Sequence, residues 1–425
     1  MPFTHLSLDI LFLLSVSITW LMIIYQLYLT VAGNRYRFGI IKEHEEIKAK
    51  HLEPRPVSIM IPAHNEELVI ERTIERIQNL DYPQELIQVV VVNDASQDHT
   101  AELVRKLAEQ DSRIKLVTLE GEKGHGKAHA LNIGLEHCSH DLIAIYDADN
   151  NPSRDSLMTL VQHLSHDPSL AAVIGKFRTI NRARNSLTRF INIETMAFQW
   201  ILQAGRYKTS RVAILPGTNY IIRKSVLKEC GGWDPKAITE DSEISVRIYE
   251  LGYKIKFVPL SVTWEQEPEK LSTWIRQRTR WVRGNNYVLQ KFAPDTFRFK
   301  SRFLFMEFIY LFALYYLFLT AIIISHLLFI LSGLGVVALN VPGPYFGVWV
   351  SAYILFVMEI MVVLSYEGED SLINFLYTLA MYFTYCQLWL YVVFKALTLD
   401  LRKHRTGEWD KTERFKVQVP SEQEL

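Results

Sequence analysis

The sequence lacks net charge: its 425 residues carry 46 Lys and Arg against 46 Asp and Glu. A chain so balanced offers no electrostatic case for nucleic acid as a partner. Cysteine is scarce. Cys138, Cys230 and Cys386 stand far apart, with no paired framework and no zinc-like spacing, which fits a reducing setting for the middle of the chain. Two nucleotide-binding loops are also missing. No G-x-G-x-x-G follows the first apolar strand, and no G-x-x-x-x-G-K-[ST] occurs anywhere, so dinucleotide and P-loop readings lose their loops. The segment before Leu11 has no Lys or Arg and carries Asp9, unlike the basic start of a signal peptide.

What is present is unevenly spread. Apolar residues make up 49% and cluster at the two ends, while charge concentrates between about residues 33 and 300. Leu11–Val31 is long enough to span a bilayer, and the basic NRYRFGIIK after it places that side in the cytoplasm. Three apolar stretches follow: Phe303–Leu331, Gly347–Tyr366 and Ser371–Leu399. If all three crossed, the basic tail RKHRTGEWDKTERFK would lie outside, against the positive-inside rule. Ser371–Leu399 carries Asn374, Thr378, Thr384, Gln387 and Lys395, and is therefore expected to form interfacial helices that dip partway in. Four crossings between residues 303 and 398 are the alternative.

In the polar middle, apolar runs alternate with helical patterns: Val57–Ala63, Gln88–Val92, Ile114–Leu119 and Leu142–Asn150. That alternation predicts a parallel, Rossmann-like sheet with covering helices. The last run, LIAIYDADN, ends in Asp147 and Asp149. Ligands of such sheets sit beyond the carboxyl ends of the strands, and two carboxylates there call for a cation between them. The expectation is a divalent metal facing a phosphate-bearing donor. Glu66 and Asp94 end the first two strands, placed to accept from a ribose hydroxyl or base N–H, or else to cap the next helices. Lys127 begins a helix after the glycine-rich GEKGHG, suited to a pyrophosphate. Around Gly217-Thr218 a backbone could pass close to a sugar. Glu240, Asp241 and Glu243 follow Thr239; they read either as a capped helix with an acidic first turn or as a site with Asp241 as general base.

From Pro268 the chain reads PEKLSTWIRQRTRWVRGNN. Leu271, Trp274, Ile275, Trp281 and Val282 form one stripe, and Arg276, Arg278, Arg280 and Arg283 make the rest basic, as in a membrane-surface helix. Gln277, Arg280 and Trp281 share a face at i, i+3 and i+4, joining an amide, a guanidinium for a diphosphate and an indole for a sugar ring.

In order, P-A-H-N-E at 62–66, N-D-A-S at 93–96, G-K-A at 126–128, D-A-D at 147–149, T-E-D at 239–241 and Q-R-T-R-W at 277–281 resemble one family. It is that of the inverting, membrane-embedded glycosyltransferases, which includes hyaluronan, cellulose, chitin-oligomer and poly-N-acetylglucosamine synthases. The resemblance covers about residues 55 to 415 and implies an α/β, GT-A (Rossmann-like) cytoplasmic domain flanked by transmembrane and interfacial helices. It implies a UDP-sugar donor with Glu66 and Asp94 at uridine, Lys127 near the base or diphosphate, and Asp149 on Mg²⁺ or Mn²⁺ with Asp147 beside it. Asp241 would be the base, with Glu240 adjacent, and Gln277, Arg280 and Trp281 would lie at the diphosphate and acceptor. Trp409, Thr412 and Arg414, in EWDKTER, match by type a gating loop of hyaluronan synthases. Asn93 departs from the Asp of many relatives.

The implied layout is an N-terminal transmembrane helix at 1–33, the GT-A domain at 55–266 and an interfacial helix at 267–300. Membrane and interfacial helices follow at 301–399, then a cytoplasmic tail at 400–425. The expected activity is extension of a β-linked polysaccharide at the plasma membrane, best from UDP-N-acetylglucosamine. The growing polysaccharide is the acceptor, and a second copy or an accessory export subunit completes the path out. A single-addition enzyme acting on a lipid acceptor is the first alternative, and a non-catalytic partner of a synthase the second.

Overall fold

The computed structural model describes residues 2–298, 302–402 and Phe415. Eight strands form one sheet in the order β3-β2-β1-β4-β7-β6-β8-β5. They are β1 Val57–Ala63, β2 Ile87–Asp94, β3 Ile114–Leu119, β4 Leu142–Ile145, β5 Asn151–Pro152, β6 Leu170–Thr179, β7 Tyr220–Arg223 and β8 Lys254–Glu265. The β3-β2-β1-β4 half is parallel, as the alternation predicts, with Val57 opposite both Ile87 and Leu142. Every residue of β1 is buried, the mark of a strand covered on both faces. The second half is mixed: β7 runs antiparallel to β4 and β6. A fully parallel sheet is thus not what forms. β7 enters from the turn at Gly217-Thr218 and passes beside β4 in the opposite direction, so that turn lies at the carboxyl end of β4.

The helices are α1 Pro2–Lys48, α2 Ile70–Gln78, α3 Thr100–Gln110, α4 Lys127–His137, α5 Ser156–His166, α6 Ser186–Ala197, α7 Gly205–Ser210, α8 Lys224–Glu229 and α9 Glu240–Glu250. They continue with α10 Leu271–Phe292, α11 Arg302–Phe312, α12 Leu319–Gly333, α13 Tyr345–Tyr366, α14 Leu372–Met381 and α15 Tyr385–Leu401. On α2 the buried set Ile70, Thr73, Ile74 and Ile77 has helical spacing and covers the sheet. Asn185 starts α6 with a capping box, accepting from the Thr188 N–H at 2.9 Å while Thr188 Oγ1 accepts from the Asn185 N–H at 3.1 Å.

Among the described residues, three helices are long and apolar enough to cross a membrane: Leu6–Lys48, Leu304–Gly333 and Tyr345–Tyr366. α14 and α15 form a pair bent by 43° that would make a fourth if counted as one span.

These helices are clamped to the sheet domain and α10 by largely shielded acids that meet bases. Arg206 donates to Glu307 at 2.7 Å. Glu367 accepts from Lys176 at 2.5 Å and from the Trp200 indole at 2.6 Å. Asp400 accepts from Arg283 at 2.7 Å and Asn286 at 2.8 Å. α1 reaches past its apolar segment, where the Tyr36 hydroxyl donates to the Phe257 carbonyl of β8. It crosses the helical run 198–210 backbone to backbone: a methyl added at Gly33 would lie 2.2 Å from the Trp200 carbonyl oxygen, and one at Gly205 2.5 Å from that of Leu29.

Such contacts cannot yield by a side-chain rotation, since the opposing atoms are main chain. Gly33→Val and Gly205→Val are therefore expected to cost roughly 1–3 kcal/mol each. Thermal unfolding of the detergent-solubilised protein should report this as a lowered midpoint.

Candidate active site

The carboxyl ends of β1, β2 and β4 open on one side, and the side chains of interest collect there. β4 stops at Ile145, so Asp147 and Asp149 lie in the following turn. The turn is fixed by its own polar groups: the Asp147 N–H donates to Asn150 Oδ1 at 3.1 Å and to Thr218 Oγ1 at 3.0 Å. Thr218 also donates to Asn150 Oδ1. The two aspartates then part. Asp149 is 2% exposed and accepts from the Gln266 N–H at 3.3 Å, whereas Asp147 turns to Lys127.

Lys127, the first residue of α4, is the centre of the arrangement. Its Nζ lies 2.5 Å from Asp147 Oδ1, 2.9 Å from the Gly217 carbonyl oxygen and 3.8 Å from Glu240 Oε1. Burial opposes its charge, but Asp147, Glu240 and Asp241 outweigh that and hold its pKa above the ordinary lysine value. Asp241 stands against the same backbone: a Cβ at Gly217 would sit 2.8 Å from Asp241 Oδ2 and 3.4 Å from Lys127 Nζ. Burial, then the neighbouring Glu240, raise the Asp241 carboxyl to about 7; Lys127, the Ser242 N–H and Arg280 pull the other way. A carboxyl titrating near neutrality in such a place is poised for proton transfer.

The cap reading of Thr239 is not what the structure adopts. The Thr239 side chain makes no capping hydrogen bond to α9; its Oγ1 is buried without a partner among the described residues. Gly284 of α10 comes so close that a Cβ there would meet Thr239 Cγ2 at 2.2 Å. α10 thereby brings its motif against the Glu240-Asp241 turn.

The stripe expected on α10 is also altered. Trp274 and Val282 are fully buried, but Leu271 is 45% exposed. The basic face is divided, too. Arg278 and Arg283 point inward and pair with Glu194 and Asp400, so only part of the predicted basic surface is one. Arg280 is near enough to lower the Asp241 pKa, and Trp281 is half-buried with the Arg278 guanidinium 3.9 Å from its ring centroid.

At the other end of the opening, Asp94 is fully buried. Its Oδ1 accepts from the His125 N–H at 3.0 Å, and its Oδ2 from the Gly126 N–H at 2.9 Å. It thus fastens the glycine-rich loop that precedes Lys127. Glu66 is also buried, and its N–H donates to Thr100 Oγ1 at 2.7 Å. Trp409, Thr412 and Arg414 lie outside the described residues. Phe415 does not: the Gln266 side chain clasps its backbone, donating to its carbonyl at 2.8 Å and accepting from its N–H at 3.0 Å. Gln266, touching both Asp149 and the tail, bore no motif in the sequence; its place after β8 opposite the Asp turn could have drawn notice only with the sheet order known.

The sequence profile described as "Glycosyltransferase like family 2" matches residues 54–284. The chain belongs to that family. This glycosyltransferase is 42% identical over 411 residues to the "Probable glycosyltransferase YdaM" of Bacillus subtilis (strain 168), covering 95% of this chain and 98% of that one. It is 29% identical over 284 residues to the poly-beta-1,6-N-acetyl-D-glucosamine synthase of Staphylococcus aureus (strain COL), covering 67% of this chain and 66% of that one. Its fold, GT-A, is similar to that of the mannosyltransferase PcManGT from Pyrobaculum calidifontis, solved with GDP-Man and Mn²⁺. That likeness has a TM-score of 0.58 at 20% identity, over 90% of this chain and 100% of that one.

The contact at Gly217 gives a direct test of the geometry. Gly217 has φ +85° and no room for a Cβ beside Asp241, whereas Gly231, with φ +77°, has nothing within 4 Å of its Cβ position. Gly217→Ala should reduce the transfer rate about 10²-fold by displacing Asp241 and Lys127. Gly231→Ala should leave the rate within about two-fold, since it carries only backbone strain. Initial rates of nucleotide release from a nucleotide-sugar donor compare the two.

Proposed function

We propose that this glycosyltransferase is a membrane-bound, inverting enzyme that uses a UDP-sugar, UDP-N-acetylglucosamine first, to extend a β-linked polysaccharide and pass it outward. The observation that carries this reading is the gathering of Asp147, Glu240 and Asp241 around Lys127 at one strand end, with Arg280 near Asp241. The named activity of the Staphylococcus relative supports the choice of sugar and of a polymer product.

Asp241 accepts the proton of the acceptor hydroxyl as its oxygen attacks the anomeric carbon. The bond from that carbon to the diphosphate oxygen breaks, UDP departs with the electron pair, and an α-linked donor gives a β-glycoside. Arg280 faces the departing diphosphate, and Gln277 and Trp281 hold the acceptor sugar, the indole offering a flat apolar face. Lys127 keeps Asp147 and Asp241 in register by its ammonium and leaves Asp241 ionisable near neutral pH. Asp149 would supply the carboxylate oxygen for Mg²⁺ or Mn²⁺, with Asp147, which turns to Lys127, beside it. No group of three His, Cys, Asp or Glu able to hold a metal exists among the described residues, so donor phosphate oxygens would complete the set. Bound there, the cation supplies charge neutralisation for the leaving diphosphate. Glu66 and Asp94 frame the nucleoside end.

One end of the bent α14–α15 pair touches α6 of the sheet domain and the other touches α10. Arg189 donates to Asn374 at 2.9 Å near its start, and Arg283 to Asp400 at its end. That supports three crossings with an outside N-terminus, the bent pair dipping in from the cytoplasmic side, and a cytoplasmic tail.

A screen of UDP-sugars for UDP release, followed by sizing of the product, tests the reading. High polymer from UDP-N-acetylglucosamine is expected; a single-sugar lipid would instead establish the lipid-acceptor enzyme. Asp241→Asn should lower turnover by at least about 10³-fold while UDP affinity changes little. Because the Asp241 pKa is raised and the base acts ionised, kcat/KM should climb as pH rises through about 7 and then level. EDTA should abolish transfer, and Mg²⁺ or Mn²⁺ restore it.

A further inference from the structure

The Gln277–Trp281 face is held from behind by side chains of two other helices. Glu194, on α6, has both oxygens engaged. Oε2 accepts from Arg278 Nη2 at 2.8 Å and from the Tyr385 hydroxyl at 2.7 Å, and Oε1 accepts from the Trp389 indole at 2.7 Å. The Tyr385 oxygen accepts in turn from the Trp274 indole at 2.9 Å. Arg278, its side chain 1% exposed, donates from Nη1 to Gln277 Oε1 at 2.9 Å and lays its guanidinium 3.9 Å from the Trp281 ring centroid. One buried cation therefore touches both residues read as acceptor contacts. A planar guanidinium can do this because its fork fixes two hydrogen bonds while its face stacks on an indole; an ammonium cannot.

We propose that Glu194 and Arg278 are positioning residues for the acceptor end of the site: the carboxylate fixes the guanidinium, which fixes the Gln277 amide and the Trp281 ring toward the incoming sugar. This rests on the reading of Gln277 and Trp281 as acceptor contacts. The same carboxylate ties in α15 through Tyr385 and Trp389, just past the break between Met381 and Tyr385, so the seat of the bent helix pair and the acceptor face share one anchor. A purely architectural clamp would need no contact to Gln277 or Trp281. Nor would it use the one arginine of the Q-R-T-R-W stretch that turns its back on Asp241.

The test uses the full chain in lipid nanodiscs with the UDP-sugar that the screen selects, and compares Glu194→Gln, Arg278→Lys and the two combined. UDP affinity by titration reads the donor end; kcat and mean product length read the acceptor end. Each single variant is expected to keep UDP affinity within about two-fold while kcat falls about 10-fold and the product shortens, with the double variant no worse than the poorer single. Glu194→Asp should recover part of the loss. Should Glu194→Gln fail to fold, Tyr385→Phe removes one of the donors to Glu194 and should shorten the product without altering UDP affinity. Unchanged kcat and product length, or a loss of UDP affinity in step with kcat, overturns the proposal. A wild-type protein inert toward every UDP-sugar overturns the donor reading instead, and is seen before any variant is made.

Discussion

The ion cluster at Lys127 is the constraint on which the site depends. Three carboxylates converge at the end of β4, and without a counter-charge their mutual repulsion and desolvation would force protons onto them or drive them apart. A single ammonium, 2.5 Å from Asp147 and 3.8 Å from Glu240, resolves this. It leaves Asp241 only partly compensated, so that its proton remains exchangeable near pH 7. Replacing Lys127 by an apolar residue would remove the charge and also the donor to the Gly217 carbonyl, which holds the β7 turn against the Asp turn. Electrostatics and backbone path are therefore one device here.

The same sign convention recurs where the apolar helices meet the sheet domain. The acids Glu307, Glu367 and Asp400 lie on or just beyond α11, α13 and α15, and their basic partners lie in the strands and helices of the domain. Each pair is largely shielded from solvent, Asp400 least, at a junction that apolar contact alone would leave free to slide. An ion pair has a definite register, and losing either member leaves a shielded charge unmatched. The long apolar helices are thereby held in one orientation relative to the strand ends.

Much of this was legible in the sequence. The runs VSIMIPA and IKLVTL became β1 and β3 with the bounds their composition suggests, because an apolar run of that length in an alternating pattern has few other ways to be buried. The carboxylates at the strand ends were legible for the same reason: they follow the strands directly. The antiparallel turn of β7 was not, since YIIR has no local signal of direction and its pairing is decided by β4 and β6, distant in sequence. Lys127 was visible as the start of a helix, but its partners Asp147, Gly217 and Glu240 come from two loops and the start of α9, and only tertiary structure says which anion it chooses.

Helix α10 shows the limit most clearly. Its arginines are identical in chemistry and a few residues apart, so composition assigns them one role, a basic face. Rotation of about 100° per residue gives them four. Arg276 is exposed, Arg278 is buried against Glu194, Arg280 lies by Asp241 and Arg283 is buried against Asp400. What separates them is the presence of an acid on a facing element, and neither Glu194 nor Asp400 is near α10 in the chain. A motif read along the sequence names candidate residues; the acids that decide which arginine turns inward can be found only across it.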